Sequence, residues 1–368
     1  MNEKTVLFSE EDTLFSLMET GLNGKASPQA EKALHYFFGE KIEAQVDYLL
    51  SIPSQVGLPP GFRAKICKSE RDLPTLIREA DVLVCERTRI DGDLLKLGAN
   101  RLRFIQKFGS DYENIDVGAA KALGIPVAYL KRISTRSVAE HIVTLVLVLS
   151  RNLILAHQAA RDRKNAQDGL KSEGPPTTKF NWGSVPNIQI VQGKTLGLVG
   201  FGENALETAK LACGLGMRVL YYKRNRADQE REKIVDARYV PTLKQLVQEA
   251  DFTSIHAPYG PPTEKMFNRE ILSGMKPTSF LISGSRGGIV DEQALFDILK
   301  EKKIAGAALD VYRWEPVPSD CPLLDLDNVV WATHNGGGAP EFMLQESRDV
   351  LANIARVERG ERPEFLIE

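Results

Sequence analysis

A glycine-rich turn between two apolar runs carries the sharpest chemical signal in the sequence. Its six residues are Gly200-Phe201-Gly202-Glu203-Asn204-Ala205. The turn follows the strand-like run Thr195–Val199 and leads into a helical run, which is the context of a dinucleotide-binding G-x-G-x-x-G/A turn. The first glycine allows a tight turn, the second lets the backbone approach a pyrophosphate, and the helix start offers N–H groups to the phosphates. The segment predicts a dinucleotide site, with a plain glycine turn as the alternative.

Basic residues follow the next predicted strand, at the position that selects between the two nicotinamide cofactors. A site for NAD places Asp or Glu there, about 20 residues beyond the glycine turn. Here the position holds Lys223, Arg224 and Arg226, and no acid occurs between Glu207 and Asp228. Charge-assisted hydrogen bonds to a 2′-phosphate contribute about 1.5 to 3 kcal/mol each. The turn therefore predicts a preference for NADP(H), with NAD(H) possible; the alternative is a solvated basic turn that contacts no phosphate.

Three further segments follow the glycine turn in order, each just past a predicted strand. They are SFLISGSRGGIVDEQAL around Arg286, AGAALDVYRWEPVPSDCPLL around Glu315 and NVVWATHNGGGAPE around His334. Together with the turn they resemble the D-isomer-specific 2-hydroxyacid dehydrogenase family. KFGSDYENIDVGAAKALGIPV from Lys107 and SVAEH from Ser137 match the family as well, so the resemblance runs from about Ala80 to the C-terminus. It implies an NAD(P)-dependent enzyme acting on a 2-keto or 2-hydroxy acid, and a homodimer built on the helix that begins near Ser137.

The chemistry of keto acid reduction explains why those residue types are needed. Arg286 can hold the carboxylate bidentately and polarise the neighbouring keto oxygen. His334 can donate a proton to the carbonyl oxygen or accept one in the reverse direction, because histidine titrates near neutral pH. Glu315 can hydrogen-bond the imidazole and fix its orientation. Each residue alone is more often an ion pair or a solvated side chain, but the ordered set predicts catalysis.

Four other positions receive roles from the resemblance and from their place in the chain. Asp310, in LDVY, is expected to bind the nicotinamide end of the cofactor. His256 ends a predicted strand close to the cofactor and is expected to contact it. Backbone N–H groups around Phe108 and Gly109 are expected to help Arg286 hold the substrate carboxylate.

Other functions on the same fold stay open at this point. Some members of the family act as transcriptional corepressors, so a dinucleotide-sensing interaction protein is the alternative from another class. A formate dehydrogenase is disfavoured because that branch has Gln at the position of Glu315, whereas a phosphite dehydrogenase is compatible with the same three residues. His334 is followed by Asn335, where the family more often has an apolar residue, and the identity of the keto acid is not given by the motifs.

The elements that must position these residues follow an alternating strand and helix pattern typical of parallel sheets. The pattern and the resemblance predict an α/β protein with two Rossmann-like or flavodoxin-like doubly wound lobes and a cleft between them. We expect residues 1–130, completed by 336–368, to form the substrate-binding lobe and residues 131–335 the NAD(P)-binding Rossmann lobe. A long apolar helix is predicted from about Ser137, followed by an irregular connection at Lys164–Asn187.

Composition limits the remaining functions. The 368 residues have a formal net charge of −2, which offers no basic field for nucleic acid. The 4 cysteines form no CxxC pair, so neither a metal site nor a disulfide framework is predicted. The N-terminal sequence has no export signal pattern and no apolar run reaches the roughly 20 residues of a membrane span. A soluble cytoplasmic enzyme with a small-molecule substrate is the expectation.

Overall fold

The computed structural model describes residues 3–162 and 180–368, and the chain divides into two compact units. Unit 1 is Met1–Ser134 with Ala339–Glu368, and unit 2 is Thr135–Gly338. The sequence pattern places these boundaries a few residues earlier, at 130 and 335. Most of the predicted connection at Lys164–Asn187 lies outside the described residues.

The described residues contain parallel strands separated by helices. The strands are β1 Lys4–Phe8, β2 Phe62–Ile66, β3 Val82–Cys85, β4 Phe104–Lys107, β5 Val127–Tyr129, β6 Thr195–Val199, β7 Arg218–Tyr222, β8 Arg238–Tyr239, β9 Phe252–Ile255, β10 Phe280–Ser283, β11 Gly306–Leu309 and β12 Val329–Trp331. The helices are α1 Thr13–Asn23, α2 Pro28–Phe38, α3 Glu43–Gln55, α4 Leu73–Leu76, α5 Gly92–Gly98, α6 Val117–Ala122, α7 Ser134–Arg151, α8 Leu153–Arg161, α9 Glu203–Gly214, α10 Gln229–Lys233, α11 Leu243–Glu249, α12 Arg269–Ser273, α13 Glu292–Lys300 and α14 Pro340–Glu358. The expected α/β class with parallel sheets is confirmed.

Unit 1 contains a five-stranded sheet in the order β2-β1-β3-β4-β5, with every pair parallel. Its central strands are apolar on both faces, and Val6, Leu7 and Phe8 are fully buried. Val6 and Phe8 join a core with α1, α3 and α14, whereas Leu7 joins a second core on the opposite face. Continuous apolar strands therefore form here because helices cover both sides of the sheet.

The segment between Ser27 and Leu58 contains α2 and α3. Ser27 caps α2 by accepting the N–H of Ala30 at 3.3 Å, and Pro28 occupies the first turn. Only Ala30 and Leu34 of α2 are buried. Such a narrow apolar face produces a weak periodicity in the sequence.

Unit 2 contains a seven-stranded sheet in the order β12-β11-β10-β9-β6-β7-β8. Strand β6 pairs in parallel with β7 on one side and β9 on the other, so the strand order reverses at β6. In open parallel sheets, ligands bind beyond the carboxyl ends of the strands at such a switch point. The glycine turn at Gly200 directly follows β6, and β8 is a two-residue strand that the sequence pattern did not predict.

The long apolar helix predicted from about Ser137 is two helices. Helix α7 ends at Arg151, Asn152 takes a left-handed conformation at φ 47°, and α8 then begins at Leu153. Asparagine adopts this conformation more readily than most residues, so it ends the helix without a glycine. Of the described helices, no single one is long and apolar enough to cross a membrane; α7 and α8 meet the length and composition test only as a pair bent by 61°.

Candidate active site

The turn between β6 and α9 has the geometry of a phosphate-binding loop. Gly200 has φ 96°, and a Cβ there would lie 2.9 Å from the N atom of Ala257 and the carbonyl carbon of His256. Only glycine fits this left-handed, crowded position. Gly202 caps α9 without any side chain, and a Cβ at Gly202 would meet no atom within 4 Å. Ala205 in the first turn is fully buried, so the helix start is open on one side and packed on the other. The site fits a dinucleotide pyrophosphate held by helix N–H groups.

Part of the positive charge of the basic turn after β7, at Lys223–Arg226, is neutralised by an acid. Glu232 on α10 receives Arg226 bidentately, with Nε–Oε1 and Nη2–Oε2 distances of 2.8 Å. It also accepts the hydroxyl of Tyr221, and the bonds from Arg226 and Tyr221 lower the pKa of Glu232 to about 2. In the parts of the chain that the structure describes, neither Lys223 nor Arg224 forms an ion pair. The sequence missed Glu232 because an acid in a short helix gives no sign of which cation it faces.

His334 and Glu315 are in direct contact. Nδ1 of His334 lies 2.6 Å from Oε2 of Glu315, while Oε1 of Glu315 accepts the N–H of Tyr312 at 3.0 Å. Since a carboxylate only accepts hydrogen bonds, the proton of this contact belongs to Nδ1. Nε2 is then the ring nitrogen available to a substrate, and the His334 side chain is 43% exposed. Glu315 fixes the tautomer and the orientation of the imidazole, as the sequence predicts for an acid–base histidine.

The backbone at His334 is held in an unusual conformation. Its φ is 56°, in the left-handed region, which costs a non-glycine residue about 1 to 3 kcal/mol. The two N–H groups that follow, of Asn335 and Gly336, donate to Oδ1 and Oδ2 of Asp310 at 2.9 and 3.1 Å. Burial alone would raise the pKa of Asp310, but contact with His141 and these N–H groups hold it below its ordinary value. Asp310 therefore presents an ionised carboxylate to the loop that carries His334.

Arg286 follows β10, at the same edge of the sheet as Glu315 and His334. Strands β10, β11 and β12 are adjacent and parallel, and Arg286, Glu315 and His334 follow them in that order. The Arg286 side chain is exposed, and its Nη1 donates to the carbonyl of Ser285 at 2.6 Å. It borders a pocket of about 380 Å³ that Trp314 also lines. The other N–H groups of this exposed guanidinium can bind a carboxylate.

His256 lies at the switch point between β6 and β9. The backbone N–H of His256 donates to the carbonyl of Val199 at 2.8 Å. The ring atom Nε2 lies 3.0 Å from Oγ of Ser254. Burial lowers the pKa of His256 to about 4, so the ring is neutral at pH 7. It is placed beside the backbone of Gly200 and is suited to support the glycine turn rather than to carry charge.

Phe108 and Gly109 belong to unit 1, and the structure corrects one part of their predicted role. The Phe108 N–H donates to the carbonyl of Cys85 at 2.8 Å, which continues the β3–β4 pairing. The ring is 1% exposed and packs against Phe15 and the Arg132 guanidinium, 4.6 Å from its centroid. The Phe108 amide is thus committed to the sheet and does not serve a carboxylate. Gly109 has φ 104°, and the predicted role of its N–H stays a prediction.

A dinucleotide turn at the switch point and an oriented histidine at the carboxyl edge of the same sheet are features of a nicotinamide-dependent oxidoreductase. The family model for "D-isomer specific 2-hydroxyacid dehydrogenase, NAD binding domain" matches residues 143–336. The glyoxylate reductase of Korarchaeum cryptofilum is 36% identical over 293 residues, covering 79% of this chain and 83% of the relative. That of Pyrococcus furiosus is 34% identical over 312 residues, covering 83% and 89%.

Solved structures show the same fold. The PH0520 protein from Pyrococcus horikoshii aligns with a TM-score of 0.64 at 23% identity, covering 100% of this chain and 95% of the other. The apo form of Rhodotorula graminis D-mandelate dehydrogenase aligns with a TM-score of 0.62 at 22% identity, covering 100% and 98%. The chain belongs to the D-isomer specific 2-hydroxyacid dehydrogenase family, and it catalyses NAD(P)-dependent oxidoreduction of a keto or hydroxy acid.

Proposed function

We propose that this protein is a 2-keto acid reductase that uses NADPH. The observation that carries the proposal is the 2.6 Å contact between His334 Nδ1 and Glu315 Oε2, on the loops after two adjacent strands of the dinucleotide-binding sheet. A histidine whose Nδ1 is fixed by a carboxylate presents Nε2 as a proton donor or acceptor, which hydride transfer to a carbonyl requires.

The chain's own residues account for the proton and the substrate charge. When bound, the nicotinamide supplies the hydride to the carbonyl carbon. The protonated His334 donates its Nε2 proton to the carbonyl oxygen, so hydride and proton together convert C=O to CH–OH. The neutral ring keeps its proton on Nδ1, facing Glu315, and Nε2 regains a proton from solvent. Arg286 holds the substrate carboxylate and thereby fixes the distance between carbonyl and imidazole.

The substrate class is a small 2-keto acid. The relatives from Korarchaeum cryptofilum and Pyrococcus furiosus are named glyoxylate reductases, so glyoxylate is the first acid to test. Hydroxypyruvate, phenylpyruvate-like acids and sugar-derived keto acids present the same carboxylate and carbonyl to Arg286. Reduction is the proposed direction because the preferred cofactor is NADPH.

The preference for NADPH is supported by Lys223 and Arg224. Both lie directly after β7, where the adenosine ribose of a dinucleotide is bound in this kind of fold. Arg226, which lies in the same basic turn, forms an ion pair with Glu232 and therefore contributes less to the binding of a 2′-phosphate. The proposed order of importance is therefore Lys223 and Arg224 before Arg226.

Initial rates of NADPH and NADH oxidation by the purified protein, measured separately against a panel of 2-keto acids, test this function. We expect turnover of at least one keto acid, with a higher kcat/KM for NADPH than for NADH. Turnover with NADH alone would contradict the cofactor assignment. Tight NADPH binding without turnover of any acid would contradict the reductase and support a dinucleotide-sensing binding protein.

We also propose a homodimer that forms on α7 and α8. Helix α8 has no buried residue, and its first three residues are apolar. The side chains of Leu153, Ile154 and Leu155 are 52%, 48% and 40% exposed. Three consecutive apolar side chains in water favour association with a second copy. Light scattering after gel filtration should give twice the monomer mass for the wild type and less for Ile154→Lys. A monomeric wild type at micromolar concentration would contradict the dimer.

A further inference from the structure

Asp310 has a second neighbour besides the His334 loop. Nε2 of His141, on α7, lies 3.3 Å from Asp310 Oδ1, and the two side chains are 17% and 2% exposed. The His141 ring also lies against Gly336: a Cβ there would be 3.2 Å from His141 Cδ2 and 3.0 Å from Asp310 Oδ2. The histidine, the aspartate and the glycine backbone are therefore in close contact within unit 2.

Helix α7 also holds the other side of the same peptide unit. Ser137 lies four residues before His141, on the same face of the helix. Its Oγ donates to the carbonyl oxygen of Gly336 at 3.0 Å, while the N–H of Gly336 donates to Asp310. Both polar groups of Gly336 are thus anchored, one to α7 and one to the residue that follows β11.

We propose that Asp310 and His141 are positioning residues that set the backbone carrying His334. The backbone N–H groups of the two residues after His334 donate to the two oxygens of the Asp310 carboxylate. The carboxylate therefore fixes both peptide planes that follow His334 in the chain. His141 orients that carboxylate from the helix. This role is separate from binding the nicotinamide, which the sequence resemblance assigns to Asp310, because it acts on the backbone after His334: the carboxylate is 2% exposed and each of its oxygens accepts one backbone N–H of that loop.

The inference rests on the proposed function where it concerns turnover, because it links Asp310 and His141 to proton transfer by His334. His334 holds a left-handed conformation, and its Nδ1 must stay within hydrogen-bond distance of Glu315. Without the Asp310 anchor, we expect the loop to relax and the imidazole to leave that geometry. A displacement of about 1 Å at a catalytic group can reduce turnover by about 10²-fold.

The kinetic test compares Asp310→Asn and His141→Gln with a matched aspartate elsewhere in unit 2. Asp251 accepts the N–H of Thr195 at 2.9 Å and pairs with Lys276 at 2.9 Å, so Asp251→Asn removes similar interactions away from His334. We expect kcat to fall about 10- to 10²-fold in Asp310→Asn and about 3- to 10-fold in His141→Gln. We expect NADPH dissociation constants within about twofold of the wild type in both, and an unchanged kcat in Asp251→Asn.

A spectroscopic test needs neither cofactor nor turnover. The chain has 5 histidines, so the His334 side-chain ¹⁵N signals can be assigned from the His334→Gln variant. We expect these signals to move in Asp310→Asn and in His141→Gln but not in Asp251→Asn. His141→Gln and Ser137→Ala, which leave the carboxylate in place, keep the test usable if Asp310→Asn does not fold.

Three results separate the outcomes. Unmoved His334 signals, with a kcat equal to that of Asp251→Asn, would overturn the positioning role. Loss of NADPH affinity at unchanged kcat would also overturn it and assign Asp310 to the cofactor. If the wild type reduces no keto acid, the proposed function fails, while the ¹⁵N signals still decide whether Asp310 and His141 position His334.

Discussion

His334 and the basic turn at Lys223 both follow strands of the same seven-stranded sheet, but their side chains are held in different ways. At His334, a carboxylate contacts the ring and a second carboxylate fixes the backbone. At the basic turn, Lys223 and Arg224 have no ion pair among the described residues, and Arg226 is bound by Glu232. The function of His334 therefore depends on the geometry in which its ring is held. The cofactor preference of the basic turn depends instead on the sum of its exposed charges. We expect substitutions at the first to have large effects and those at the second to have small, additive ones.

Removing the imidazole should have the largest effect. His334→Gln deletes the proton donor, so we expect kcat to fall about 10² to 10⁴-fold with little change in NADPH affinity. Steady-state kinetics and fluorescence titration of NADPH measure the two quantities. The exposed His35→Gln on α2 is the control and should be unchanged. A kcat within about threefold of the wild type would remove His334 from catalysis.

Substitution of Arg286 should weaken substrate binding and reduce turnover together. Arg286→Ala removes the charge and the planar fork that holds a carboxylate, whereas Arg286→Lys keeps the charge alone. We expect kcat/KM to fall about 10²-fold or more in the alanine variant and less in the lysine variant. Equal losses in the two variants would show that the fork matters and the charge alone does not. No loss in either would place the substrate carboxylate elsewhere.

The basic turn should respond in smaller steps. Lys223→Ala and Arg224→Ala together should raise the KM for NADPH about tenfold and leave the KM for NADH unchanged. Arg226→Ala should have a smaller effect because Glu232 already compensates its charge. Measured KM values for both cofactors across the three variants check this order. An Arg226 effect equal to that of the double variant would show that the phosphate displaces Glu232.

His256 gives the smallest predicted effect, on stability. Its folded-state pKa of about 4 is below its ordinary value of 6.5, so its contribution is present above pH 6.5 and is lost as the pH falls toward 4. We expect about 1 kcal/mol of this contribution to be lost between about pH 7 and pH 5.5. Urea unfolding at the two pH values measures it. His256→Gln should lose less stability over the same interval, and an identical loss would show that His256 does not titrate as stated.

Particular residues show how far sequence alone could go. The strands that precede Gly200 and Arg286 are continuous apolar runs buried on both faces, so their positions could be predicted within about a residue. The break at Asn152 could not, because a single asparagine is compatible with a continuing helix. The Glu315–His334 contact follows from two loops on adjacent strands. By contrast, the pairing of Glu232 with Arg226 and of His141 with Asp310 depends on side chains from separate elements, for which the sequence gives no spacing.

A single-turnover experiment with NADPH-bound enzyme and hydroxypyruvate or glyoxylate tests proton transfer by His334 most directly. NADPH absorbance is followed in the wild type and in His334→Gln, and the chirality of the hydroxypyruvate product is determined. We predict that the wild type oxidises one NADPH per active site and forms the D-hydroxy acid, while His334→Gln does so at least about 10²-fold more slowly. Equal rates in the two proteins, or bound NADPH that no keto acid oxidises, would contradict this prediction.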